Sequence, residues 1–180
     1  MSLGRIVFIF LSLFVLVTSV HLYVANAQQL TLMNQEDLYD LPYPGILPDH
    51  PLYFIKDLRD KTTLFFTRDI IKGAELNLLN SDKKIAMAEA LSIKGKDKLM
   101  VDTAIEAETA FLAIPAVLKE AKEQGSSPSS EFILRLKSSN TKHREVLESL
   151  VKRLPQVQQK TLNDALQKNV QGMKEIDNIK

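Results

Sequence analysis

From Leu52 onward, apolar side chains recur every three or four positions and charged ones fill the gaps. That rhythm marks helices that bury one face. The first stripe is Leu52, Ile55, Leu58, Thr62 and Phe65, widened by Phe54 and Phe66. It predicts a helix starting within 49–51, where Asp49 is placed to cap free amides and Pro51 suits a first turn that has no use for its missing N–H. A second helix is expected from 69 or 74 to 94, with Leu79, Ala86, Ala90 and Ile93 on one face and Leu76, Leu78 and Ile85 beside them. Gly73 marks a break before it or a weak point in one long helix, and Gly95 is a terminator. A third helix, 97–123, carries Met100, Ala104, Phe111, Ile114, Leu118 and Ala121. Pro115 inside it must kink or split it, because proline removes a backbone bond and clashes with the preceding turn. After the loop EQGSSPSS, a fourth helix over 129–154 lines up Phe132, Leu136, Ser139, His143, Val146, Leu147, Leu150 and Leu154. A fifth over 155–179 turns Leu162, Ala165, Leu166, Val170, Met173 and Ile176 inward, with Pro155 at its start.

No stretch alternates convincingly with period two, and no Asn-Gly or Asp-Gly hairpin turn occurs. Each stripe covers one face only, so no helix is stable alone and together they can share a core. The expected architecture is all-α, an antiparallel bundle of about five helices.

Upstream the pattern changes twice. A short start with Arg5 as its one charge leads into Ile6 to Val20, apolar apart from Ser12, Thr18 and Ser19. Ala25 and Ala27 then form a small-x-small exit before Gln28. This is the plan of a secretory signal. The 20 residues from Ile6 to Ala25 are also just long enough for an uncleaved membrane anchor. In either reading the remainder lies outside the cytoplasm, secreted or at the cell envelope, and membrane contact comes only through the N-terminal segment if it is uncleaved. No cysteine stands at the exit, which excludes a lipid-anchored lipoprotein. Residues 28–51 hold Pro42, Pro44, Pro48, Pro51 and Gly45 and predict an extended, semi-rigid lead. Such a lead can hold a domain off a membrane or wall, or its Leu41, Tyr43, Ile46 and Leu47 can lie along the bundle. The domain plan is thus 1–27 signal or anchor, 28–51 lead and 52–180 bundle.

Charge and composition narrow the functions. The first 27 residues take one of the 23 basic residues and none of the 22 acidic ones, leaving 22 against 22. A neutral chain lacks the basic footprint that nucleic acid requires. The absence of cysteine removes disulfides, thiolate metal sites and cysteine nucleophiles, so packing alone holds the fold. There is no GxSxG, no phosphate-cradling glycine loop and no calcium-loop spacing of acids.

The remaining candidates are few. His21 belongs to the N-terminal segment; His50 and His143 are far apart in sequence and lack the H-x-x-x-H spacing of helical metal ligands. His143 reads as a polar residue at a core edge or a pH-responsive contact. Asp102 and Glu106, one turn apart with Glu108 nearby, read as a solvated face, and Met87, Met100 and Met173 as core filler. Tyr53 and Lys56 follow Asp49 and His50, placing an aromatic, a cation, an acid and an imidazole near one corner. That corner is either a ligand or peptide pocket or a bundle end sealed by tyrosine. The candidate binding residues are therefore His50, Tyr53, Lys56 and His143, with no catalytic residue, metal ligand or cofactor expected.

LPDHPLYFIKDL, residues 47–58, resembles the opening LP-x-x-PLY-x-x-K of a family of uncharacterised exported bacterial helical domains, through Leu47, Pro48, Pro51, Leu52, Tyr53 and Lys56. KKIAMAEAL (83–91) is similar to the family's second helix, with Lys84 where arginine is common and Met87 where an acid is common. HREVLESLVKRLP (143–155) is similar to its tail. The resemblance covers about 50–180 and implies an extracytoplasmic helical domain with no assigned reaction. The leading expectation is a non-enzymatic binding or structural module at the bacterial cell envelope, its partner an unknown protein or envelope component. The alternatives are a metal- or peptide-binding sensor or chaperone, and an enzyme of unrecognised type.

Overall fold

A computed structural model describes residues 39–179, so the expected signal and its cleavage site lie outside the described residues. Six helices and no strand occur among the described residues: α1 (Tyr53–Phe66), α2 (Ile70–Ile93), α3 (Asp97–Leu112), α4 (Ile114–Glu123), α5 (Ser130–Val151) and α6 (Gln156–Asp177). The all-α reading holds. The expected third helix is two, because Ala113 closes α3 and Pro115 lies in the first turn of α4. There its missing N–H breaks no helical bond.

Local chemistry sets the other boundaries. The break between α1 and α2 falls at 67–69 rather than at Gly73. Asp69 starts α2 by accepting a hydrogen bond from the Lys72 amide at 2.9 Å, and Gly73 lies inside the helix. Ser129 starts α5 in the same way, accepting from the Phe132 amide at 3.1 Å. Gly95 ends α2 with φ +66°, which lets the Lys96 amide turn back to the Leu91 carbonyl at 3.0 Å. Asp49 does not cap α1; its carboxylate pairs with Lys94 at 3.0 Å, and α1 begins at Tyr53 with no side-chain cap.

The bundle proper is a square. α2 packs on α3 and α5, and α6 packs on the same two helices from the opposite corner. Short turns at 94–96 and 152–155 make the α2/α3 and α5/α6 pairs antiparallel. Two apolar clusters fill the interior. One gathers Ile85, Leu91, Met100, Ala104, Leu147, Leu150 and Leu162, with Leu41 of the lead packed against it. The other gathers Ala74, Leu78, Phe111, Ile114, Leu118, Phe132, Leu136 and Ile176. The stripes of the expected third and fourth helices are buried as read. In α2, by contrast, Leu79 and Ile93 are exposed, and Ser81 and Asp82 are buried instead. In α6, Val170 is exposed while Asn169 and Gly172 face inward.

α1 reverses its expected orientation. It touches α2 but buries no residue. Tyr53, Lys56, Asp57, Asp60 and Leu64 are its half-buried positions, while Leu52, Phe54, Ile55, Leu58, Thr62, Phe65 and Phe66 are exposed. The stripe expected to join the core therefore faces outward. Four helices already close the square, and the surface left for α1 is polar: Asn77, Asn80 and Lys84 line the groove between them. Polar and charged side chains meet that surface at lower cost than apolar ones.

Candidate functional site

A polar layer separates the two apolar clusters. Each helix of the square carries its members at stripe spacing. Asp82 lies between Leu78 and Ile85 on α2, Glu108 between Ala104 and Phe111 on α3, and Ser139, Asn140 and His143 between Leu136 and Leu147 on α5. On α6 the inward positions Leu162, Ala165, Asn169, Gly172 and Ile176 alternate in steps of three and four. Helical pitch therefore brings two carboxylates, one imidazole and two amides to one level of the core.

His143 is the hub and is fully buried. Its Nδ1 donates to Glu108 Oε1 at 2.7 Å and its Nε2 donates to Asp82 Oδ1 at 2.9 Å. The Ser139 hydroxyl donates to Asp82 Oδ1 at 2.6 Å, and the Tyr39 hydroxyl donates to Asp82 Oδ2 at 2.6 Å. Burial alone would lower the pKa of the imidazole. Hydrogen bonds and charge from Asp82 and Glu108 outweigh it and push the value up to about 9, so both ring nitrogens carry protons at neutral pH. Burial, then the charge of Asp82, raises Tyr39, which stays a neutral donor. The Phe111 ring stands 5.3 Å from the imidazole, centroid to centroid. Glu108 Oε2 is buried without a hydrogen-bond partner among the described residues.

The amides complete the layer. Asn140 donates to the Asn169 carbonyl and Asn169 to the Asn140 carbonyl, each at 3.0 Å. Arg144 Nε donates to Asn169 Oδ1 at 3.2 Å. Gly172 permits this closeness, because a Cβ there would lie 3.3 Å from Phe111 Cδ1 and 3.4 Å from Asn140 Nδ2.

The four residues singled out in the sequence do not converge. His50 is exposed in the turn before α1, its Nδ1 accepting from the Leu52 amide at 3.1 Å. Tyr53 and Lys56 do come together. Lys56 Nζ lies 5.6 Å from the Tyr53 ring centroid and 3.0 Å from Asp60, and both residues line a surface groove with Asp57, Asn77 and Lys84. Burial, with Asp57, Glu106 and Asp60 adding to it, pushes the Tyr53 phenol up to about 12. Neither histidine lines that groove. Glu108, read as part of a solvated face, is buried, whereas Glu106 stays outside and pairs with Lys84 at 2.8 Å.

Asp82, Glu108, Ser139 and Tyr39 were not anticipated as a set. The available signal was an acid interrupting an apolar stripe on two helices while a histidine interrupted a third. Within the cluster the imidazolium ring is saturated: with both N–H groups engaged it has no lone pair for a metal or a substrate proton, whereas Glu108 Oε2 keeps a free acceptor site. No group of three or more described His, Asp and Glu side chains is arranged to hold a metal ion.

Residues 45–157 match the family described as "Domain of unknown function (DUF5667)". The chain belongs to the DUF5667 family. The kinship expected from the LPDHPLY segment is thus shown, and the family description carries no reaction. No curated protein and no solved structure matches the chain. The part of this DUF5667 chain that matches holds α1 to α5, with Asp82, Glu108 and His143, and stops just inside α6.

Proposed function

We propose that this DUF5667 protein is a non-enzymatic module exported to the bacterial cell envelope, where it binds a partner through α1. The observation that carries the reading is the outward stripe of α1, where Phe65 is 84 % and Leu58 63 % exposed. Apolar side chains gathered on one exposed helix face are a binding surface in need of a partner. Export is supported by the sequence from Arg5 through the Ala25-x-Ala27 exit. A binding rather than catalytic role is supported by His143, the one buried imidazole among the described residues, whose two N–H donors are both engaged inside the core. The lead supports a fixed presentation of α1, since Tyr39 and Asp49 tie it to α2 and to the α2 C-terminus.

Protease treatment of intact spheroplasts expressing the tagged full chain tests the reading. Digestion of the tag outside the cytoplasmic membrane is the expected result. A chain protected until the spheroplasts are lysed would overturn it.

A further inference from the structure

We propose that the partner of α1 is an anionic lipid surface, on which the helix lies in plane with its apolar stripe against the acyl boundary. This rests on the reading of the chain as an envelope protein and adds a membrane contact separate from the N-terminal segment. At 3.6 residues per turn, Phe54, Ile55, Leu58, Thr62, Phe65 and Phe66 occupy one sector about 120° wide. The sector is bordered by cations. Lys61 stands about 20° beyond Phe54 on one side and Arg59 about 20° beyond Phe66 on the other. Lys61 pairs with Asp57 at 2.7 Å and Arg59 with Asp60 at 2.6 Å, yet the cations are the outer members of these pairs, 73 % and 66 % exposed against 29 % and 19 % for the acids. Arg68, Asp69 and Lys72 follow on exposed positions past the helix, a net charge of one positive. The acids of α1, Asp57 and Asp60, lie on the half turned to the bundle.

Apolar sector, cationic edges and a polar back are the design of an interfacial helix, whose basic side chains reach the headgroups while aromatic rings enter the boundary. With 14 residues α1 is too short to span a bilayer, so in-plane contact is the geometry open to it. A second copy would bring the same cationic edges and no acid on this face. An anionic surface complements both edges. Chain connectivity agrees with this choice. Thirteen residues, 26–38, separate the apolar run ending at Ala25 from Tyr39. Fully extended they reach about 45 Å, so a run held in or near the membrane keeps the bundle within a domain's width of it.

The sequence has no tryptophan, which makes a local reporter clean. The full chain carrying Phe65→Trp, and separately Val157→Trp as a control on a site 85 % exposed in α6, is mixed with brominated phosphatidylglycerol/phosphatidylcholine vesicles. The expected result is a blue shift and quenching of Phe65→Trp alone. Adding Arg59→Gln and Lys61→Gln shifts half-quenching to about 30-fold more anionic lipid, from two basic side chains near the surface. Quenching of both reporters alike, or of neither, overturns the proposal, as does equal quenching on purely phosphatidylcholine vesicles. A blue shift present before vesicles are added, and growing with protein concentration, assigns the face to a second copy and also overturns it. Because the assay is made on purified chain, its failure leaves the spheroplast result standing, and the reverse also holds.

Discussion

In the middle of the bundle, His143 Nδ1 stands 2.7 Å from Glu108 Oε1, and neither side chain is exposed to solvent. α3 and α5 are not neighbours in the square, so this bond crosses its diagonal. Asp82 holds the other ring nitrogen from an adjacent helix. A pair of buried charges costs desolvation, and their mutual attraction offsets that cost only where the remaining lone pairs are satisfied by further hydrogen bonds. Here Ser139 and Tyr39 supply them to Asp82. A charge layer of this kind penalises any sliding of one helix past another, since a shift of one turn would strand a charge in hydrocarbon.

The cluster makes stability depend on pH. The folded pKa of His143, about 9, lies above the unfolded value of 6.5. Folding therefore takes up a proton between these values, and its contribution is complete below about pH 6.5 and lost as pH rises through about 9. At 1.36 kcal/mol per unit the whole effect is at most about 3 kcal/mol. Urea midpoints should fall between pH 6.5 and 9.5. A midpoint that rises across that window contradicts the assignment of His143 as an imidazolium.

Glu108→Gln keeps the shape of the side chain and its acceptor but removes the charge. The imidazolium then has one carboxylate in place of two, and burial counts for more in the balance. The titration of His143, followed by its ring proton shifts in NMR, should move down from about 9 toward 6.5. At pH 7 the variant should be less stable by about 1–3 kcal/mol, the range for a disturbed buried charge bond. An unchanged midpoint would mean that Asp82 alone sets the proton.

Tyr39 fastens the lead. Its hydroxyl is the donor to Asp82 Oδ2, at 2.6 Å. Tyr39→Phe retains the ring and leaves that carboxylate oxygen without its donor, a loss of about 1–3 kcal/mol for a charge-assisted bond. Limited proteolysis should cut within 39–52 sooner than in the parent chain, with far-UV helix signal unchanged. Equal cutting rates would show that Leu41 packing alone holds the lead.

The stripes of the expected third and fourth helices were legible because Phe111, Leu118, Leu136 and Leu150 each have one face to bury and nothing competing for it. α1 was misread for a related reason. Periodicity shows that Ile55, Leu58 and Phe65 share a side, but not whether the bundle has a free apolar edge to receive them. The square was already closed, and Asn77, Asn80 and Lys84 called for polar partners. The charged layer was hidden by helix-by-helix reading. Glu108 follows Glu106 by two positions, and at about 100° per residue that is the difference between outside and inside. Only pairing three helices at one level shows that Asp82 and Glu108 share the single imidazolium of His143.

Two glycines inside helices should respond in opposite ways to the same change. Alanine in a helix interior is favoured over glycine by about 1 kcal/mol. A Cβ at Gly73 meets nothing within 4 Å, so Gly73→Ala should gain that amount. At Gly172 the added carbon lies 3.3 Å from Phe111 Cδ1 and 3.4 Å from Asn140 Nδ2. Neither neighbour is free to yield: Phe111 is fully buried beside the His143 ring, and Asn140 is bonded to the Asn169 carbonyl. Gly172→Ala should therefore lose the propensity gain and cost about 1 kcal/mol or more, within the range for overpacked cores. Thermal melts of the two variants at one pH decide the point. A rise in both would mean that α6 can shift away from α3 without cost, and that the polar layer does not fix the spacing of the helices.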